Sequence, residues 1–103
     1  MYRTRTLNLV DIMQLKKDLL WGKYYYGLFD SGKLADTLLF SNYFDNRYLI
    51  EIHFIEHKTR EFLNKFTHDY AHKRRVRYFI RELNEITQVA EIEFMNSCGF
   101  KRY

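Results

Sequence analysis

The second half of the chain alternates between two hydrophobic periodicities, and this alternation limits the fold more than any other feature. Between Tyr48 and Glu56 bulky apolar residues recur at every second position, which is typical of a strand with one buried face. Phe62, Phe66 and Tyr70 recur at every fourth position, so a helix would carry their rings on one face. A second strand pattern and a second helix pattern follow. The order strand, helix, strand, helix predicts an α/β domain.

The strand over 48–56 is expected to form a hairpin with a short strand over 37–41, through a turn over 42–47. Its core-facing row would consist of Tyr48, Ile50, Ile52 and Phe54. Thr59 is placed to begin the following helix, which ends in a run of positive charge that suits the negative end of a helix dipole. In the next strand, over 76–83, the row on one face would consist of Val76, Tyr78 and Ile80.

The last helix is predicted between Asn84 and Cys98. Its apolar row would consist of Ile86, Ala90, Phe94 and Cys98. Gly99 follows, which is typical of the left-handed residue after a helix, and Phe100 is the apolar residue that closes such an end. Residues 101–103 would begin one more strand.

The first half is predicted to start with a strand over 2–7 and a helix over 9–21, with Asn8 as the N-cap and Asp11 supporting the first turn. Residues 23–29 form either a strand or a packed aromatic loop, and residues 30–33 form a turn. Thr37 to Ser41 completes the strands of this half. The whole pattern predicts a small mixed, mostly antiparallel sheet of four to six strands with three helices.

The length and composition limit the organisation of the chain. At 103 residues we expect a single domain over 1–103, and an apolar fraction of 47% with nine Phe and nine Tyr supplies a core. The single cysteine, Cys98, excludes an intrachain disulfide and fits a reducing compartment, and we expect a cytoplasmic protein. No apolar run reaches the length needed to cross a bilayer, so we expect no membrane association. The net charge of +4 allows an acidic partner without requiring one.

The carboxy-terminal stretch, from Gln88 to Tyr103, resembles the last helix and turn of the GNAT family of N-acetyltransferases. The resemblance rests on Ala90, Phe94, the Gly99-Phe100 pair and the basic residue after it, and on the order of elements from Tyr48 onward. It implies a trimmed version of that fold. It also implies that the strands over 48–56 and 76–83 splay apart to admit acetyl-CoA, whose pyrophosphate lies on a glycine-rich loop before the following helix.

Two departures from the family pattern affect the chemistry. The segment that matches the phosphate loop, Ile55 to Glu61, has no glycine and carries two carboxylates, although close approach of backbone N–H groups to a phosphate favours glycine. Met95 stands where many members place a tyrosine that protonates the departing thiolate, and a thioether donates no proton. We therefore assign no catalytic residue and no cofactor; acetyl-CoA belongs only to an alternative hypothesis, an acyl-CoA-dependent N-acetyltransferase with an atypical cofactor loop.

Two sequence features form the candidate binding surface, a cluster of cations and a run of tyrosines: Lys73, Arg74, Arg75, Arg77, Arg81, Tyr24, Tyr25 and Tyr26. Arg77 and Arg81 would share one strand face, and Arg3 and Arg5 would extend the positive patch toward phosphates. The other interpretation is a solvated helix end and strand face. The tyrosines would stack on bases, anchor a protein partner, or pack alternately into the core.

Other candidate groups receive no role. His68 and His72 lie one helical turn apart and present two metal-ligand types on one face, but surface histidines account for them, and we assign no metal. Cys98 falls on the apolar row of the last helix, where a structural thiol is expected.

The leading functional hypothesis is a small basic, non-catalytic binding or accessory protein on a degenerate acetyltransferase-like fold. A small inhibitory protein of the kind that phages and mobile elements encode has this size. We expect a protein partner; nucleic-acid binding is the third hypothesis, and edge strands with surface aromatics permit a homodimer.

Overall fold

The chain forms one mixed sheet and three helices in a computed structural model that describes residues 1–18, 20–43 and 46–102. Among these residues the elements are β1 (Tyr2–Thr6), α1 (Leu9–Gln14), β2 (Tyr24–Asp30), β3 (Lys33–Tyr43), β4 (Asn46–Ile55), α2 (Arg60–Lys73), β5 (Tyr78–Ile80) and α3 (Val89–Ser97). The sheet has the order β1-β2-β3-β4-β5, and every neighbouring pair is antiparallel except the parallel pair β4–β5. The predicted fold class, a small mostly antiparallel sheet with three helices, is confirmed.

Helix α2 covers one face of the sheet and forms the core with it. Phe62, Phe66 and Tyr70 are buried, as their spacing predicts. The ring of Phe66 lies 5.0 Å from the ring of Tyr26 on β2 and 5.0 Å from that of Phe40 on β3, measured between centroids. The helix therefore holds the middle strands together through aromatic contacts.

Helix α1 is shorter than the predicted helix over 9–21. Its start is as expected, since Asn8 and Asp11 form a reciprocal capping box. It ends at Gln14, and Lys16 adopts the left-handed conformation with φ 53°, which no α-helix continues through.

The hairpin β3–β4 contains a bulge that changes which side chains reach the core. Leu39 pairs with Phe54 and Phe40 pairs with Ile52 in the strand register, so His53 is the extra residue of the bulge. The extra residue breaks the alternation: Ile52 and Ile55 are buried, whereas Phe54 is half-exposed. The prediction that Phe54 continues the core-facing row is therefore wrong. The predicted turn over 42–47 lies partly outside the described residues, and β3 is longer than the predicted strand.

Strand β5 is also shorter than predicted, and it does not include Val76. Val76 is buried, but Tyr78 and Ile80 are exposed, while Phe79 packs against the ring of Phe66 at 5.9 Å between centroids. Tyr78 and Ile80 therefore do not continue the row of Val76, because the chain enters β5 only at Tyr78 and does not alternate regularly before it.

Helix α3 begins five residues later than predicted. The side-chain oxygen of Asn84 accepts hydrogen bonds from the N–H groups of Ile86 and Thr87, a local turn that replaces the first helical turn. As a result Ile86 and Ala90 are exposed, and Met95 is the buried residue of the helix. The predicted row through Ile86 and Ala90 is wrong, although Phe94 and Cys98 do pack against the core.

The end of α3 has the predicted geometry. Gly99 has φ 92°, and the N–H of Phe100 donates to the carbonyl of Met95 at 3.0 Å. These are the features of a Schellman motif, and Phe100 packs against the core as its apolar closure. Lys101 and Arg102 are not in a strand, and Tyr103 lies outside the described residues.

Candidate functional site

Strands β4 and β5 separate at one end of the sheet. They pair only from Leu49–Tyr78 to Glu51–Ile80, while β4 continues to Ile55. The end of β4 leads through a short join into α2, and the end of β5 leads toward α3. This opening, bounded by the join over 56–59 and by α3, is where the family resemblance places a cofactor.

A buried carboxylate accepts hydrogen bonds from the backbone N–H groups of this join. Asp36 on β3 is 1% exposed. Its Oδ1 accepts from the N–H of His57 at 3.0 Å and from that of Thr37 at 2.8 Å, and its Oδ2 accepts from the N–H of Thr59 at 3.4 Å. Converging N–H groups before a helix N-terminus form a site for an anion. Here the anion is part of the chain itself.

The cations and anions around the join also pair with one another. Lys58, in a left-handed conformation, forms an ion pair with Glu91 on α3, and this hydrogen bond lowers the pKa of Glu91. The carboxylate of Glu56 accepts a hydrogen bond from the hydroxyl of Thr37, which lowers the pKa of Glu56, and lies 3.7 Å from the ammonium of Lys17. The Lys58–Glu91 pair spans the opening between the join and α3.

The join therefore does not fit the pyrophosphate of acetyl-CoA. Two of its N–H donors bind Asp36, its lysine binds Glu91, and no glycine lets a phosphate approach the backbone. Met95 lies at 4% exposure and supplies no acidic hydrogen. Sequence reasoning identified the missing glycine but not Asp36. The only signal for it was an Asp inside an apolar strand, where Asp is depleted.

The cations of the candidate surface divide into two places. Lys73, Arg74 and Arg75 are exposed at the end of α2, and Arg77 is exposed just before β5. Arg81 lies beyond the other end of β5 and is half-buried, so it does not share a face with Arg77 as predicted. Because β5 has only three residues, the two arginines flank it rather than alternate along it.

Arg3 and Arg5 do not extend this cluster. They lie on β1, which forms the opposite edge of the sheet from β5, about 19 Å away at four strand spacings. The guanidinium of Arg5 forms an ion pair with Asp11 and lies over the ring of Phe29. The expectation of one continuous patch is therefore wrong for these two residues.

The three tyrosines have three different environments. Tyr26 is 4% exposed, with its hydroxyl near Thr4 and Asp69, and burial raises its pKa to about 12. Tyr25 lies on the opposite face and donates its hydroxyl to the carbonyl of Asp18 at 3.0 Å. Tyr24 is 51% exposed. Tyr26 is therefore a core residue, and Tyr24 is the member of the run with a surface available for contact.

Tyr24 and the cations at the end of α2 lie at the same end of the sheet. Strands β2, β4 and β5 run in one direction and α2 returns, so their starts and the end of the helix meet there. A continuous row of rings connects them: Tyr24 contacts Phe40 at 5.7 Å, Phe40 contacts Tyr70 at 5.2 Å, and the guanidinium of Arg74 lies 5.1 Å from the Tyr70 centroid. We call the surface formed at this end of the sheet the basic end; it consists of Tyr24, Lys73, Arg74, Arg75 and Arg77.

The four cations of the basic end take part in none of the ion pairs formed among the described residues. Arg77 instead lies over the ring of Tyr48 at 4.9 Å, as Arg74 does over Tyr70. Stacking fixes each guanidinium by its face and leaves its N–H edges available to an acceptor.

The histidine pair and the single cysteine, to which no role was assigned, can also be located in the structure. His68 and His72 stack on α2 at 6.2 Å between centroids, and nowhere in residues 1–18, 20–43 and 46–102 do three metal-ligand side chains come together. Cys98 is partly buried against the core. No described helix combines the length and the apolar character needed to cross a membrane.

No protein-family model matches this sequence, and no curated protein is significantly similar to it in sequence. Solved structures do match. The ribosomal-protein-alanine N-acetyltransferase from Brucella melitensis biovar Abortus 2308 superimposes with a TM-score of 0.70 at 12% identity, over 100% of this chain and 95% of that one. A probable acetyltransferase from Staphylococcus epidermidis ATCC 12228 gives 0.70 at 16% identity, over 100% and 85% of the two chains.

An aminoglycoside acetyltransferase from an uncultured soil metagenomic sample, in complex with trehalose, gives a TM-score of 0.68 at 9% identity, over 99% of this chain and 91% of that one. At these identities the similarity concerns the fold. The chain therefore has the acetyltransferase fold of the GNAT family, as the resemblance of its second half implies.

Proposed function

We propose that this protein is a non-catalytic binding module that uses the acetyltransferase fold as a scaffold and contacts an acidic protein partner through its basic end. The observation that carries the first half of the proposal is the position of Asp36. Its carboxylate satisfies the N–H groups of His57 and Thr59, which a cofactor phosphate would need. A phosphate entering this opening would also meet Glu56 and Glu91.

The basic end supports the second half of the proposal. Four exposed cations that form no ion pair with a described residue produce a local positive potential, which attracts an acidic surface and accelerates encounter. Arginine and tyrosine are also the residue types that most often dominate binding energy at protein interfaces. Tyr24, Arg74 and Arg77 combine both types on one end of the sheet.

Acetyl-CoA is expected not to bind. Isothermal titration at about 1 mM cofactor should give no saturable heat, and the thermal unfolding midpoint should not change, whereas a site with a dissociation constant of about 10 µM would add about 2.7 kcal/mol of stability. A urea unfolding curve on the same sample shows that the protein is folded. Saturable 1:1 binding, together with acetyl transfer to any amine acceptor, would show that the protein is an enzyme of the alternative class.

Charge reversal at the basic end is expected to abolish partner binding. A pulldown from native extract should return one stoichiometric partner with the wild type and none with the double variant Arg74→Glu/Arg77→Glu. The matched control is Arg3→Glu/Lys33→Glu, which makes the same change in net charge on β1 and at the start of β3, at the other end of the sheet. The control should retain the partner. Equal loss in both variants would mean that net charge, not this surface, governs the interaction.

The same variants separate a protein partner from nucleic acid. If the basic end bound a DNA duplex through about three phosphates, affinity would fall about 40-fold between 50 and 200 mM salt, and Arg74→Ala/Arg75→Ala/Arg77→Ala would flatten that dependence. Fluorescence anisotropy with a labelled duplex measures both. We expect weak, sequence-independent binding at most. Tight binding with this salt dependence would show that the partner of the basic end is nucleic acid and not a protein.

A further inference from the structure

A cavity of about 610 Å³ lies between β5, the segment that follows it, and the end of α3. Its apolar lining comes from Phe79, Leu83, Ile92, Met95 and Phe100. No residue of the join between β4 and α2 lines it, so it is separate from the opening that would hold a CoA phosphate. Its volume is in the range of cavities that hold small ligands.

Arg81 lines this cavity, and two of its guanidinium nitrogens lack a hydrogen-bond partner. Its Nε and Nη1 atoms are buried and have no hydrogen-bond partner. Nearly all buried donors in proteins have a partner, and an unpaired donor on a cation is costlier than one on a neutral group. The same burial lowers the pKa of Arg81, although the nearby Glu91 opposes this. The structure thus holds a cation in contact with a cavity without supplying an acceptor.

The carboxylates near the cavity do not supply that acceptor. Glu91 interacts with Arg81 electrostatically, but it forms its ion pair with Lys58. Glu85 pairs with Arg102 at the rim. The charged lining residues comprise three cations and two carboxylates, a net charge of about +1: Arg81, Lys101, Arg102, Glu82 and Glu85. A single negative charge would balance the lining.

We propose that this cavity binds a small amphiphilic carboxylate, with the carboxylate on Arg81 and an apolar body against Phe79, Leu83 and Phe100. A monoanion matches the net charge of the lining. A dianionic phosphate would bring one negative charge that the lining does not balance, close to the carboxylates of Glu82 and Glu85. The guanidinium has to rotate toward the cavity to meet the ligand. It breaks no hydrogen bond of Nε or Nη1 in doing so, because those atoms make none.

This site is independent of the basic end. Arg81 follows the last residue of β5, whereas Arg77 precedes the first, so the two lie at opposite ends of the strand. Loss of partner binding through Arg74 and Arg77 would leave this proposal untouched, and absence of a carboxylate ligand would leave the proposed function untouched.

The test uses octanoate as the probe, with octanamide as the neutral match and inorganic phosphate as the anion without an apolar body. Isothermal titration should show 1:1 binding of octanoate with a dissociation constant of about 1 mM or below. Amide and phosphate should bind at least about tenfold more weakly. In a ¹H–¹³C spectrum octanoate should shift the methyl signals of Leu83, Ile92 and Met95.

The variant Arg81→Met replaces the guanidinium by an unbranched apolar side chain and so removes the charge. It should bind octanoate at least about tenfold more weakly than the wild type, and its urea midpoint should be equal or higher, because replacing unpaired buried donors by an apolar group removes a desolvation cost. Arg3→Met removes the same charge from β1, at the opposite edge of the sheet from the cavity, and as the control it should retain binding. Equal octanoate affinity in Arg81→Met, no binding at all, or phosphate binding as tight as octanoate would each overturn the proposal.

Discussion

Replacing Phe66 by alanine should lower the free energy of unfolding by about 3–5 kcal/mol. The side chain is fully buried, and its ring lies within 6 Å of four others: Tyr26, Phe40, Tyr70 and Phe79. The cavity left by the ring would touch β2, β3, β5 and α2 at once, so no single element could move to fill it. Small domains have a total stability of about 5–15 kcal/mol, so we expect a large fall in the urea midpoint.

Phe54→Ala is the matched control, since it removes the same ring from the same sheet. Phe54 is 50% exposed because of the bulge at His53, and its removal should cost less than about 1 kcal/mol. Urea unfolding followed by fluorescence of Trp21 and the tyrosines measures both variants. Similar losses for the two would mean that Phe54 faces the core after all, as simple alternation along the strand predicts.

The pair shows what periodicity can and cannot predict. Helix α2 was predictable because Phe62, Phe66 and Tyr70 repeat at a spacing that only one helical face accommodates. The face of Phe54 was not predictable, since one unpaired residue reverses every side chain after it and nothing in the local sequence marks His53 as that residue. Period-two alternation likewise places Tyr24 and Tyr26 on one face. It does not reveal that the buried one lies under α2.

Helix boundaries depended on competing side chains. Asn84 satisfies the criteria for an N-cap, but it bonds the N–H groups of Ile86 and Thr87 in a local turn, and α3 begins only after Gln88. The end of α3 was predictable because Gly99 has a specific conformational role there. The sequence thus predicts the conformation of a residue well when the residue's own geometry determines it. It predicts the conformation poorly when a partner far along the chain determines it.

Some features of the candidate site are visible in the sequence, and others depend on contacts between residues far apart in the chain. The missing glycine at the join is visible in the sequence, and so are the cations of the basic end. The role of Asp36 is not, because its hydrogen bonds join residues 21 and 23 positions apart. The separation of Arg77 from Arg81 depends on the length of β5, which is only three residues. Long-range pairing decides both cases, and no local pattern encodes it.

Asp36→Asn should lower the free energy of unfolding by about 2–4 kcal/mol, a large effect for an isosteric change. The carboxylate accepts three backbone hydrogen bonds, and those to a charged acceptor each contribute about 1.5–3 kcal/mol. An amide keeps one oxygen and turns an N–H₂ group toward the remaining N–H donors. Asp30→Asn, at an exposed carboxylate 3.7 Å from the amino terminus, is the control and should change stability by less than about 0.5 kcal/mol.

Hydrogen exchange tests the local part of this expectation. In Asp36→Asn the amides of His57 and Thr59 should exchange faster than in the wild type by more than the global loss of stability accounts for, because they lose their acceptor directly. The variant should still not bind acetyl-CoA, since Lys58 and Glu91 still close the opening and no glycine has been gained. Equal exchange in both proteins would mean that Asp36 does not hold these donors. Cofactor binding by the variant would instead show that this one carboxylate blocks the cofactor site in this chain.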